Sequence, residues 1–85
     1  MLQKIDKPVS VNLFFNSKGA KVTPTFLVWN QKRYEIKQIG LHHTYKKGRT
    51  LLHVFSVVCD ECFMRLVLNT ETLHWRLEEV MDNML

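Results

Sequence analysis

Strict alternation of apolar and polar residues constrains the fold of this chain more than any other feature. In the first such segment the apolar residues are Val9, Val11, Leu13 and Phe15, with polar Ser10 and Asn12 between them. A period of two is typical of a β-strand with one buried face. Gly19 follows Asn16–Lys18 and favours a turn at that point, because glycine readily adopts positive φ.

Further strands follow at short intervals along the chain. Alternation predicts them at about Val22–Trp29, Arg33–Tyr45, Leu51–Cys59, Cys62–Leu68 and Leu73–Val80. The third of these changes phase, since Ile36 and Ile39 are three residues apart and would face opposite sides of a regular strand. Lys37-Gln38 therefore indicates a β-bulge or a sharp bend, and a break into two strands is the alternative.

These elements predict an all-β fold in a single domain over residues 1–85, because the chain is too short for two domains. Connections of two to six residues favour an antiparallel meander of about six strands. A strand bent in its middle further predicts a small SH3-like or partly open barrel. The last segment also fits a helical stripe, so the chain ends either as a strand or with a short helical tail.

The distribution of charge is strongly asymmetric. Residues 1–50 hold ten Lys or Arg against Asp6 and Glu35, whereas residues 51–85 hold two against six acids, and the net charge is +4. Basic residues beside aromatic rings are suited to nucleic acid, because they contact phosphates while a ring stacks on a base. The predicted nucleic-acid-binding residues are Lys32, Arg33, Lys37, Lys46, Lys47 and Arg49. The alternative is a solvated surface on which lysines keep edge strands soluble.

Cys59 and Cys62 have the spacing of two ligands of a zinc ion. A structural zinc site normally has four ligands, and only scattered histidines are available to complete one. The sequence favours structural cysteines beside a hairpin turn, with a metal-stabilised module or a redox pair as alternatives. We predict no bound cofactor.

Catalytic constellations are not apparent in the sequence. His42, His43 and His53 could face one another across a hairpin, but no Ser or Cys nucleophile stands at an interpretable spacing. The adjacent carboxylates of Glu78 and Glu79 diverge on a strand, and the three glycines are isolated. We therefore expect a non-enzymatic binding module without a small-molecule substrate.

Several partner classes remain open. A protein partner or a second copy would contact an edge strand bearing Pro24, or exposed Phe14, Phe26 or Trp29. No membrane contact is expected, because the longest aliphatic or aromatic run is four residues, Phe26–Trp29. Two cysteines in a chain of this kind favour a reducing, cytoplasmic location.

Four segments carry a resemblance to a known family: Phe26–Trp29, Lys32–Ile39 after a short turn, Cys62–Leu66 after a long hairpin, and the closing Trp75–Asp82. With these segments, about two-thirds of the chain resembles a family of short bacterial all-β proteins of unknown function. Asn30-Gln31 departs from the family at a position where glycine is common. The resemblance implies a small curved meander or barrel. Because some members are encoded near DNA-repair polymerases, it also implies a link to nucleic acid.

Overall fold

The computed structural model describes residues 2–19 and 21–82, which form one antiparallel sheet of seven strands and no helix. The strands are β1 (Leu2–Asn16), β2 (Lys21–Trp29), β3 (Lys32–Glu35), β4 (Gln38–Lys47), β5 (Thr50–Val58), β6 (Cys62–Asn69) and β7 (His74–Asp82). Their order across the sheet is β3-β2-β1-β7-β6-β5-β4. The predicted all-β antiparallel class is confirmed. No described segment is a helix that could cross a membrane.

Strand β1 is long enough to serve two partners. Its first part, from Leu2 to Val9, pairs with β7, and its second part, from Ser10 to Asn16, pairs with β2. The pairing with β7 is interrupted between Lys4 and Lys7, where Asp6 has a φ of 50°. An irregularity of this kind bends a strand and increases its twist. Because β7 pairs with β1 only as far as Val9, the β1–β2 hairpin extends beyond the start of β7.

The predicted long third strand is instead two strands. Residues Ile36 and Lys37 separate β3 from β4, and the two strands lie at opposite ends of the strand order. The Ile36 amide donates to the Thr25 carbonyl (3.0 Å), and the Lys37 amide donates to the Val58 carbonyl (2.8 Å). Consecutive amides therefore bond to β2 and β5, which brings the two ends of a curled sheet near each other. Within residues 2–19 and 21–82 no ladder joins β3 to β4, so the sheet is not closed into a barrel.

The core lies on the concave face of this sheet. Its fully buried members include Leu27 on β2, Leu66 on β6 and Leu77 on β7. The Trp75 and Phe55 rings meet in this cluster, with centroids 5.7 Å apart. Val9 and Val11 pack against it, so the alternation in β1 does reflect a buried face. A smaller cluster of Leu52, Val54 and Val67 covers the opposite face of β5 and β6.

The last segment is a strand up to Asp82, later than the predicted end at Val80. Leu73, predicted as its first residue, lies in the preceding turn with a φ of 63°. Its amide donates to the Asn69 carbonyl at 2.7 Å, which closes the turn before His74. The alternative of a helical tail began after Val80; Met81 and Asp82 belong to the strand, and residues 83–85 lie outside the described residues.

Candidate functional site

The six predicted basic residues fall into two groups at opposite ends of β4. Lys37 immediately precedes this ten-residue strand, whereas Lys46 and Lys47 end it. At about 3.3 Å per residue, the two groups are roughly 30 Å apart along the strand. We call residues 30–37 and 59–62 the cysteine end, and residues 13–19, 21–23 and 42–53 the hairpin end.

Two hairpins form the hairpin end because of the strand register. Val9 pairs with Trp75, Trp75 with Leu68, Leu68 with His53, and His53 with Thr44, so these residues form one row across the sheet. Beyond this row both the β1–β2 hairpin and the β4–β5 hairpin continue past the β6–β7 turn. Across the open side of the curled sheet, the charge of Lys21 on β2 reaches His42 on β4 and contributes to lowering its pKa.

Two of the three cations of the cysteine end are matched by nearby carboxylates. Arg33 forms an ion pair with Glu35, and Lys37 Nζ lies 3.7 Å from Asp60 Oδ1. The Arg33 guanidinium also lies over the Phe26 ring, 3.7 Å from its centroid. Exposed ion pairs of this kind contribute little to the stability of the fold. They do, however, neutralise the positive charge with which Arg33 and Lys37 would otherwise attract a phosphate group.

The hairpin end, by contrast, has no acidic residue of its own, although Glu71 accepts from Thr50 Oγ1 at 3.4 Å and Asp6 and Glu78 line a groove with Tyr45 and Lys47. It contains five Lys or Arg residues and no Asp or Glu: Lys18, Lys21, Lys46, Lys47 and Arg49. All five are exposed, and none makes an ion pair within residues 2–19 and 21–82. Three exposed aromatic rings accompany them, those of Phe14 (58%), Phe15 (60%) and Tyr45 (41%).

Lys18 and Lys21 were missed in the sequence because they are some 25 residues from Lys46. They flank the Gly19 turn, which is a signal that they are exposed but not a signal of what lies beside them. Only the pairing of β1 with β7 places this turn at the same end of the sheet as the β4–β5 hairpin. The pairing of strands that are distant in sequence therefore determines which cations lie together at the hairpin end.

A histidine pair lies on the concave face of the hairpin end. His42 Nε2 is 2.8 Å from His53 Nδ1, and the His42 ring stacks on Phe55 with centroids 4.1 Å apart. Partial burial lowers the pKa of His42, which keeps an exposed side, and the charges of His53, His43 and Lys21 lower it further. His43 pairs with Val54 on the neighbouring strand and faces the opposite side of the sheet from His42. The predicted triple histidine cluster is therefore a pair.

Cys59 and Cys62 flank the β5–β6 turn, where the Cys59 amide donates to the Cys62 carbonyl at 2.9 Å. Both thiols are free. Burial, followed by the neighbouring Cys62 and Asp60, raises the pKa of Cys59 to about 12. Burial also raises the pKa of Cys62, against the lowering effect of its hydrogen bond with Cys59. A redox-active cysteine has a lowered pKa and is largely ionised. The raised pKa values here keep both thiols neutral, and neutral thiols are poor nucleophiles.

The same two cysteines line a cavity of about 530 Å³ at the cysteine end, together with Trp29 and Tyr34. The Trp29 and Tyr34 rings are in contact there, with centroids 6.0 Å apart. No group of three or more His, Cys, Asp or Glu side chains suited to a metal occurs among the described residues. The pair thus supplies two of the four ligands of a structural zinc site, and the metal alternative stays a prediction.

Comparison of the chain with protein families, curated proteins and solved structures finds no match. The resemblance to short bacterial β-proteins therefore stays a prediction.

Proposed function

We propose that this protein is a non-enzymatic module that binds single-stranded nucleic acid through its hairpin end. One observation carries the proposal: five exposed cations and three exposed aromatic rings lie at the hairpin end, whose own residues include no Asp or Glu. We also propose that its scaffold is a partly open, SH3-like barrel, and that it acts in the cytoplasm.

Single-stranded nucleic acid fits this surface in two ways. Lysine and arginine side chains neutralise phosphates and release counterions, which supplies affinity without regard to sequence. Phe14, Phe15 and Tyr45 offer flat apolar faces on which unpaired bases can stack. Duplex DNA would expose its phosphates but not the faces of its bases, so the exposed rings favour a single strand.

The proposed contact set differs from the predicted one. Lys46, Lys47 and Arg49 are retained, and Lys18 and Lys21 are added. Lys32, Arg33 and Lys37 are left out, because Glu35 and Asp60 cancel the charge of two of them and Lys32 lies 5.1 Å from the centre of the Tyr34 ring.

Fluorescence anisotropy with a labelled single-stranded oligonucleotide, titrated across salt concentrations, tests this proposal. For single strands the logarithm of the binding constant falls with the logarithm of salt by about 0.7 for each neutralised phosphate. Replacing Lys46, Lys47 and Arg49 together by Ala should therefore reduce the slope by about 2 and weaken binding at low salt.

The cysteine end provides a matched control. Replacing Lys32, Arg33 and Lys37 by Ala removes the same charge from the other end of β4, and it should leave most of the affinity and slope intact. Equal losses in the two triple variants would show that only overall net charge matters. The absence of binding by the native chain at low salt would refute the proposal outright.

A further inference from the structure

Several strand edges of the described sheet are unpaired, and one of them lacks the usual protection against pairing. From Ser10 to Asn16, β1 pairs with β2 on one side only, because β7 pairs with β1 no further than Val9. The ten residues from Pro8 to Ser17 contain no charged side chain. Leu13, Phe14 and Phe15 are 39, 58 and 60% exposed along this edge.

The edges of the two end strands are protected. Strand β3 is only four residues long and begins with Lys32 and Arg33. Strand β4 ends in Lys46 and Lys47, and its register is interrupted between Ile39 and Leu41. Short length, terminal lysines and bulges are the means by which soluble proteins prevent edge-to-edge pairing. The free edge of β1 is neither short nor lysine-bearing within Ser10–Asn16, and the extra residue of its irregular pairing with β2 between Asn12 and Leu13 is Thr25, which lies on β2.

We propose that this edge pairs antiparallel with the same segment of a second copy, centred on Leu13. In that register Val11 lies opposite the partner's Phe15, and Leu13 lies opposite the partner's Leu13. Antiparallel pairing brings together residues of the same face, so the apolar alternation of β1 matches its own copy. The surface is thus isologous, as two-fold homodimers require.

Shape also favours a second copy as the partner. A symmetric pairing places the two Gly19 turns at opposite ends of the paired segment, so their lysines do not meet, and Lys18 of one copy arrives near Pro8, where β7 holds Arg76 beside its ion-pair partner Asp6. The incoming turn would reach the point where β7 begins beside β1. A groove of about 380 Å³ lies there, lined by Pro8, Val9, Ser10, Val11 and the segment Leu73–Trp75. Leu73 is 72% exposed beside it and can contact the arriving turn.

Sedimentation or light scattering of the native chain across protein concentrations measures this association. An interface of one strand pair is small, so we expect a monomer when dilute and a dimer when concentrated. Phe15→Lys should abolish the dimer by placing a charge at the edge. Leu41→Lys is the control, because it adds the same charge at an apolar position, 56% exposed, on β4, and it should leave the dimer intact. A native chain that stays monomeric at all concentrations overturns the proposal.

A cysteine at the two-fold axis tests the register itself. Residues directly opposite in an antiparallel pair have Cα atoms about 4.5–5.5 Å apart, within the range of a disulfide. Leu13→Cys should therefore form a disulfide-linked dimer on air oxidation, visible on a non-reducing gel, whereas native chain and Leu41→Cys should not. Equal crosslinking of Leu41→Cys would contradict this register. Leu13→Cys and Leu41→Cys both keep all five cations of the hairpin end. Oligonucleotide binding can therefore be measured on these variants independently of the crosslink.

Discussion

His42 Nε2 lies 2.8 Å from His53 Nδ1, which joins adjacent strands of the β4–β5 hairpin through two imidazole rings. The rings overlap at a centroid distance of 5.1 Å. A hydrogen bond between imidazoles requires one nitrogen to donate and the other to accept. If both rings are protonated, both nitrogens are donors and the bond is lost. The pair therefore makes this hairpin sensitive to acid.

Acidification should reduce the stability of the native chain. Burial is the main cause that lowers the pKa of His42 from its ordinary value of 6.5. The unfolded chain thus takes up this proton at higher pH than the folded chain. Stability should be complete above about pH 6.5 and should fall as the pH drops from there toward the folded pKa. Urea unfolding between about pH 8 and pH 5 measures this dependence.

His42→Phe isolates this effect, because it keeps a ring stacked on Phe55 but cannot take up a proton. Its stability should change less with pH than that of the native chain. His74→Gln is the control: His74 is exposed on β7 and outside the pair, so the variant should keep the native pH dependence. A full pH dependence in His42→Phe would assign the effect to other groups.

Native Cys59 should react slowly with iodoacetamide. Its pKa is raised from 9.0 to about 12, so its thiolate is about a thousandfold scarcer at neutral pH than in the unfolded chain. Cys62→Ser removes the second thiol, and mass spectrometry then follows alkylation of Cys59 alone. The same variant in urea should react at the rate of an ordinary thiol. A native rate close to the urea rate would mean that Cys59 is not buried as described.

Local pattern predicted most of the strands but not their arrangement. The alternation of Val9 and Val11 reflects a real buried face, and the phase change after Ile36 marks a real interruption. Spacing alone does not distinguish a bend from a break. The difference depends on the bonds from Ile36 to Thr25 and from Lys37 to Val58, and those partners are distant in sequence.

The candidate site was harder to predict than the fold for a related reason. Counting charges along the chain finds basic segments, but the effect of a cation depends on what lies beside it in space. Asp60 is 23 residues after Lys37 and still lies 3.7 Å from it. Lys21 joins the hairpin end only because β1 extends past β7. Both facts follow from the register in which the strands pair. That register is specified by the packing of the whole core and not by a local sequence motif.

Trp75→Ala should come close to unfolding the protein. Trp75 is 8% exposed and packs against Phe55 in the main core. Removing a buried Trp side chain costs about 3–5 kcal/mol, a large part of the roughly 5–15 kcal/mol by which small domains are stable. Urea unfolding followed by circular dichroism measures the loss. Leu73→Ala, at a position that is 72% exposed, should change stability by less than about 0.5 kcal/mol.

Gln31→Gly should stabilise the chain. The β2–β3 turn has φ values of 53° at Asn30 and 62° at Gln31, as in a two-residue hairpin turn of type I′. Asparagine tolerates this conformation, whereas the Cβ of glutamine makes it unfavourable by about 1–2 kcal/mol. Part of that gain is offset by the greater freedom of glycine in the unfolded chain, so we expect a net increase of about 0.5–1 kcal/mol.

Gln31→Ala is the matched control for this turn, because it shortens the side chain but keeps the Cβ, and it should leave the stability near the native value. Both variants should raise or retain the urea midpoint without changing the slope of the transition, since neither alters the surface exposed on unfolding. A lower midpoint for Gln31→Gly would mean that freedom gained by the unfolded chain exceeds the strain relieved at Gln31.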